Sequence, residues 1–163
     1  MRKLLVIVVV AAFSALIPGT ASAATPVITH TTLDIGPLAI TDVCSAGITV
    51  SGHLVVSETD YFDANGAPTR IYIHTVETDT FTGPARSLVS EPYEYGTFFN
   101  LDTSGNIVSG TVVGVLLRIA LPDGSLFVSS GRTILHPNGP VFTFTPDFGR
   151  SGNLSALCGA LGA

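Results

Sequence analysis

The chain of 163 residues carries 12 acidic side chains against 7 basic ones, a formal charge of −5, with two cysteines and no tryptophan. Two of the basic residues, Arg2 and Lys3, stand at the N-terminus, so residues 24–163 keep five arginines, no lysine and every acid, a formal charge of −7. Nucleic acids and anionic membrane surfaces are bound by clustered Lys and Arg, so this balance argues against both as partners.

Behind Arg2 and Lys3 runs an apolar stretch, Leu4 to Phe13. Pro18-Gly19 breaks it, and Ala21-Ser22-Ala23 follows with small residues at the spacing a signal peptidase requires. This pattern predicts a secretory signal peptide over residues 1–23, cleaved after Ala23. The apolar core is too short for a membrane span, and no second apolar run follows. A secreted chain works in an oxidising compartment without ATP or reduced nucleotides, so no cofactor is expected. Residues 24–163 are the size of one ordinary domain and hold no charge run, repeat or linker.

Cys44 and Cys158 are the only cysteines and lie near the two ends of the exported part. In an exported chain an isolated pair predicts a disulfide. Closing so long a loop is worth roughly 4–5 kcal/mol in the chain-entropy picture. The bridge requires the two Cα atoms to approach within about 7 Å.

Between the cysteines, turn signals recur with nothing helical between them: Asp63-Ala64-Asn65-Gly66, Gly83-Pro84, Asp102-Thr103-Ser104-Gly105-Asn106, Pro122-Asp123-Gly124 and Pro137-Asn138-Gly139-Pro140. The intervening segments are rich in Val, Ile, Thr, Phe and Tyr, which suit a pleated surface. Several arms, Ile48–Thr59 and Ile107–Ala120 among them, run ten residues or more. Long consecutive hairpin arms predict an all-β fold, an antiparallel meander of about eight strands coiling into a small β-barrel, with a β-sandwich as the alternative. Only the tail from Ser151 to Leu161 reads as helix, with Leu154, Leu157 and Leu161 on one side. The disulfide then pins this short C-terminal helix onto the sheet near its first strand.

Taking Asn65 and Gly66 as a two-residue loop sets a register in which Val50 faces Phe81, Val56 faces Thr75 and Glu58 faces Ile73, a mostly apolar side that packs inward. The other side pairs His53 with Thr78, Ser57 with His74, Thr59 with Tyr72 and Tyr61 with Arg70. His53, Tyr61, Arg70, Tyr72 and His74 are therefore the candidate ligand-binding residues if that side lines a lumen. If it faces out, they are ordinary solvated polar residues. In this register His53 and His74 stand four residues apart along the ladder, about 13 Å, too far to chelate one metal.

Other chemistry is thin. The Asp60–Gly66 segment fails the calcium-loop pattern, because Tyr61 and Tyr72 fall where the first ligand and the bidentate Glu belong. Glu77 and Asp79 share a strand face, as do Glu58 and Asp60, without the apolar-against-solvated contrast that acid–base catalysis by paired carboxylates needs. No nucleophile elbow, zinc-protease motif or phosphate-binding glycine loop occurs, and no catalytic or metal-ligating residue is assigned. Arg118 and Arg132, set among apolar residues, either clamp a carboxylate or snorkel outward. Asn153-Leu154-Ser155 is a formal glycosylation sequon.

Cys44, Gly52-His53, the Tyr61–Arg70 hairpin with its Gly-x-Pro-x-Arg end, His74, Thr78–Pro84, Pro122-Asp123-Gly124, Gly131-Arg132, Phe142 with Phe144, and Cys158 form a pattern spanning most of the exported chain. It resembles a set of small exported proteins of actinobacteria, and is similar more distantly to barrels of the allene oxide cyclase and dirigent type. The resemblance implies a secreted antiparallel β protein and carries over no catalytic residue. Taken together, the sequence predicts a non-catalytic binding module for a small apolar ligand or a cell-surface or protein partner. Alternatives are a cofactor-independent cyclase or isomerase using the His53, Tyr72, His74 and Arg70 side, and a structural or adhesion protein with an exposed apolar patch or self-pairing edge strand.

Overall fold

A computed structural model describes residues 25–41, 43–135 and 146–163. The predicted signal peptide, the Pro137–Pro140 turn and Phe142 with Phe144 lie outside the described residues. Eight strands follow in chain order: β1 (Val27–Ile40), β2 (Ile48–Phe62), β3 (Pro68–Thr82), β4 (Ser87–Val89), β5 (Tyr93–Leu101), β6 (Ile107–Ala120), β7 (Leu126–Leu135) and β8 (Phe148–Arg150). Among the described residues there is one helix, α1 (Leu154–Leu161), after β8. The fold is all-β, with every strand pair antiparallel and the order β1-β2-β3-β5-β6-β7-β8.

β4 and β5 act as one interrupted strand. β4 continues the pairing of β3 beyond β5, with Thr80 opposite Val89 where Glu77 stands opposite Tyr93, a slip of one residue. Ser90 also bridges to Ile119 of β6. The slip falls at Glu91-Pro92, where Pro92 has no N–H to give a ladder.

The β2–β3 register is the one expected, from Val50 opposite Phe81 to Tyr61 opposite Arg70. The turn differs. Instead of a two-residue loop, Asp63 and Ala67 close the hairpin (Asp63 N to Ala67 O, 2.9 Å), Gly66 takes φ 81°, and a bulge between Tyr61 and Phe62 restores the register. The same construction recurs at Asp102–Asn106 and at Leu121–Ser125, with Gly105 and Gly124 in the same conformation. Glycine sits at that position because L side chains are strained there.

The core collects at one end of the sheet. Ile48, Val50, Phe81, Tyr93, Leu117, Ile119, Leu121 and Phe127 pack there against Leu157 and Leu161 of α1. Cys44 and Cys158 form the expected disulfide, with Cα atoms 5.5 Å apart. It ties α1 to the β1–β2 connection. Asn153 caps the helix by accepting from Ala156 N at 3.1 Å, and Gly162 ends it at φ 75°.

The sheet is not closed into a barrel, nor does a second sheet form a sandwich. Among the described residues no ladder joins β1 to β7 or β8, and the two ends of the strand order are edges. The physical reason lies in the core: α1 covers its apolar end, so that burial is achieved by helix against sheet rather than by joining the edges. β1 stays almost wholly exposed.

Candidate functional site

On the face that carries the core, β3 alternates Thr75, Glu77, Asp79 and Phe81, all buried. The register sets Gly52 and Leu54 of β2 opposite Asp79 and Glu77, and on the other side Tyr93 opposite Glu77 and Tyr95 opposite Thr75. Strand alternation thus brings two carboxyl groups and two phenols together in the interior. Asp79 is completely buried and Glu77 is 4% exposed.

Each phenol serves one acid. The Tyr93 hydroxyl donates to Asp79 Oδ2, and the Tyr95 hydroxyl donates to Glu77 Oε2 at 2.7 Å. The rings stack with centroids 6.3 Å apart. Ser90 fixes the backbone beside them, donating its N–H to Asp79 O while its Oγ accepts from Asp79 N, both at 2.8 Å. Gly52 leaves room for the carboxyls: a Cβ there would lie 2.6 Å from Asp79 Oδ1 and 3.2 Å from Glu77 Oε1.

The arginines with described contacts are engaged elsewhere. Arg118 Nε pairs with Glu91 at 2.8 Å, Arg70 lies 4.4 Å over the Tyr61 ring and Arg132 4.5 Å over the Phe148 ring. Two adjacent buried carboxyls without a cation cannot both ionise cheaply. Burial first, and then the charge of Asp79, push Glu77 up to about 7, against the opposing hydrogen bond from Tyr95. Burial also raises Asp79, held back by the bonds from Tyr93 and Glu77. The two carboxyls therefore do not ionise together readily, and Asp79 Oδ1 is buried with no hydrogen-bond partner among the described residues. Burial and the neighbouring carboxylates push both phenols above the ordinary tyrosine range, so they remain donors.

Beyond this cluster the same face turns apolar and half-exposed. Leu54 and Val56 of β2, Ile73 of β3, Phe99 of β5 and Val112 of β6 occupy neighbouring same-face positions. Gly110 gives the Phe99 ring its place, since a Cβ there would meet the ring at 3.0 Å.

The five residues singled out from sequence lie on the opposite face, each with its own neighbour. His53 Nδ1 is 2.6 Å from Asp34 Oδ1, and His74 Nε2 is 3.2 Å from Glu94 Oε2. Tyr61 lies under Arg70, and Tyr72 packs on Phe98 with centroids 4.7 Å apart. The structure brings Tyr61 and Arg70 together and leaves the two histidines on separate acids. What sequence reasoning missed is that Glu77 and Asp79 are both buried. The register itself held the signal, because Val50 opposite Phe81 being inward makes Gly52 opposite Asp79 and Leu54 opposite Glu77 inward too. No family model, no curated protein and no solved structure matches this chain.

Proposed function

We propose that this is an exported, non-catalytic binding module that takes a small, largely apolar molecule on the core face of its sheet, above the acid–tyrosine cluster. The observation that carries the reading is the row Leu54, Val56, Ile73, Phe99 and Val112. These side chains share a face with the packed core yet stay half-exposed, continuous across four strands. Apolar surface with a few convergent polar groups is the usual make-up of a small-molecule site. Here Thr75, Thr97 and Tyr95 supply the polar groups at its base. The burial of Glu77 and Asp79 favours a binding role over proton exchange with a substrate. The disulfide is compatible with an extracellular setting.

The test is titration with N-phenyl-1-naphthylamine, a neutral dye that brightens in apolar surroundings. The expected result is saturable binding that Val56→Asp with Ile73→Asp reduces at least about tenfold, a loss of about 1.4 kcal/mol. Val55→Asp with Val113→Asp, on the other face, should leave it unchanged. Equal binding by both variants would sink the reading.

A further inference from the structure

The free edge of β1 has a composition that calls for a partner. Fourteen residues long, it pairs on one side with β2, without interruption from Val27 to Ile35, and among the described residues no strand pairs with its other side. Edge strands in soluble proteins are usually protected by shortness, lysines, prolines or inward charges. β1 has no lysine or arginine, one acid (Asp34), and a single proline, Pro37, near its end at the register shift. Its apolar side chains are exposed instead, Val27 by 51%, Ile28 by 60% and Leu33 by 46%.

We propose that this edge pairs with the same edge of a second copy of the chain, joining two sheets through a β1–β1 antiparallel ladder about a two-fold axis. The proposal is independent of the ligand. The sequence of β1 selects the register. A two-fold axis normal to the sheet keeps each side chain on its own face, so it must pass through a residue that pairs with itself. With the axis at Thr32, Thr31 faces Leu33, Thr29 faces Ile35, and His30 of each copy faces Asp34 of the other. With the axis at Thr31, Asp34 falls opposite Ile28. With the axis at His30, the two imidazoles oppose each other. Only the Thr32 register among these three sets an imidazole opposite a carboxylate, twice per dimer, and favourable cross-strand pairs of this kind stabilise one register over its neighbours. Asp34 already lies 2.6 Å from His53, so in the dimer its carboxylate would stand between two imidazoles.

The experiment uses the exported, processed protein. Sedimentation equilibrium from about 1 to about 100 μM should give a monomer–dimer equilibrium, and His30→Asp, which sets like charges opposite, should weaken it at least about tenfold. Thr32→Cys supplies the second readout. Self-paired residues in an antiparallel ladder lie about 4.5–5.5 Å apart at Cα, within disulfide reach, so this variant should form a covalent dimer under oxidising conditions. Ile28→Cys, which faces Gly36 in this register, should not. A monomer throughout the concentration range overturns the proposal. So does a dimer that Thr32→Cys fails to cross-link, or one that His30→Asp leaves as tight as before.

Discussion

Glu77 and Asp79 give the molecule a pH dependence opposite to that of most acids in folded proteins. Glu77 has its proton affinity raised in the folded state, from the ordinary 4.5 to about 7. Between those values the folded chain binds more protons than the unfolded one, so stability falls as pH rises from about 4.5 to about 7 and levels off above. The size is a little over 3 kcal/mol, roughly 1.4 kcal/mol for each unit of pKa difference. Glu77→Gln removes the titrating carboxyl beside Asp79 and the charge it carries. It should abolish that decline and make the variant more stable than the parent at pH 8, measured by urea unfolding at pH 5 and pH 8. An unchanged pH profile would show that Glu77 is not the source of that decline. Gly52 belongs to the same argument. Gly52→Ala puts a methyl against Asp79 Oδ1, so it should destabilise by about 1–3 kcal/mol, the range for overpacking a filled interior.

At the scale of the element, the strands were legible because they are long and periodic, and the details of their ends were not. The β2–β3 register follows from which side of each arm is apolar, and it holds through thirteen pairs, from Thr49 opposite Thr82 to Tyr61 opposite Arg70. The turn was misread because Asn65-Gly66 is equally at home in a two-residue loop and in the longer turn that Asp63 closes. Asp63 Oδ1 accepts from Asn65 N at 2.8 Å and from Ala67 N at 2.9 Å, an arrangement that local residue types alone do not select. Those same bonds hold its carboxyl below the ordinary aspartate range. The helix begins at Leu154 rather than Ser151 for a tertiary reason. Gly152 lies so close to the Phe127 ring that a Cβ there would stand 2.7 Å from it, which keeps the segment before Asn153 against β7. Asn153 then starts the helix as its cap. Asn153→Ala should cost about 1 kcal/mol, read as a lower midpoint in thermal unfolding. A variant as stable as the parent would mean that the cap adds nothing to the core packing and the disulfide that hold α1 in place.

For the whole molecule, sequence fixed the class and the staple but not the closure. All-β, antiparallel and tied by Cys44–Cys158 follow from strand periodicity, turn spacing and cysteine count. Whether the two edges meet depends on how a sheet coils over its full width, and no local pattern encodes that. The site face was half legible: its register could be read, but burying two acids in it runs against the usual preference of carboxyls for water. The staple is also the largest single prediction at this scale. Cys44→Ala with Cys158→Ala should lower stability by about 4 kcal/mol, measured by urea unfolding of the oxidised parent and the double variant. A difference under about 1 kcal/mol would show that α1 and the sheet stay together by packing alone.

The position of that bond has a further consequence for proteolysis. It joins the connection before β2 to the last helix, so strands β2 to β8 all lie within the covalent loop it closes. A protease that cuts one peptide bond in any of the three glycine hairpins therefore releases no fragment. The nicked chain remains one molecule, its two pieces held at the core end by sulfur as well as by packing, and it runs as two bands only after reduction. Removal of any part requires a second cut, and the hairpin tips become places where the chain can be opened without being dismantled.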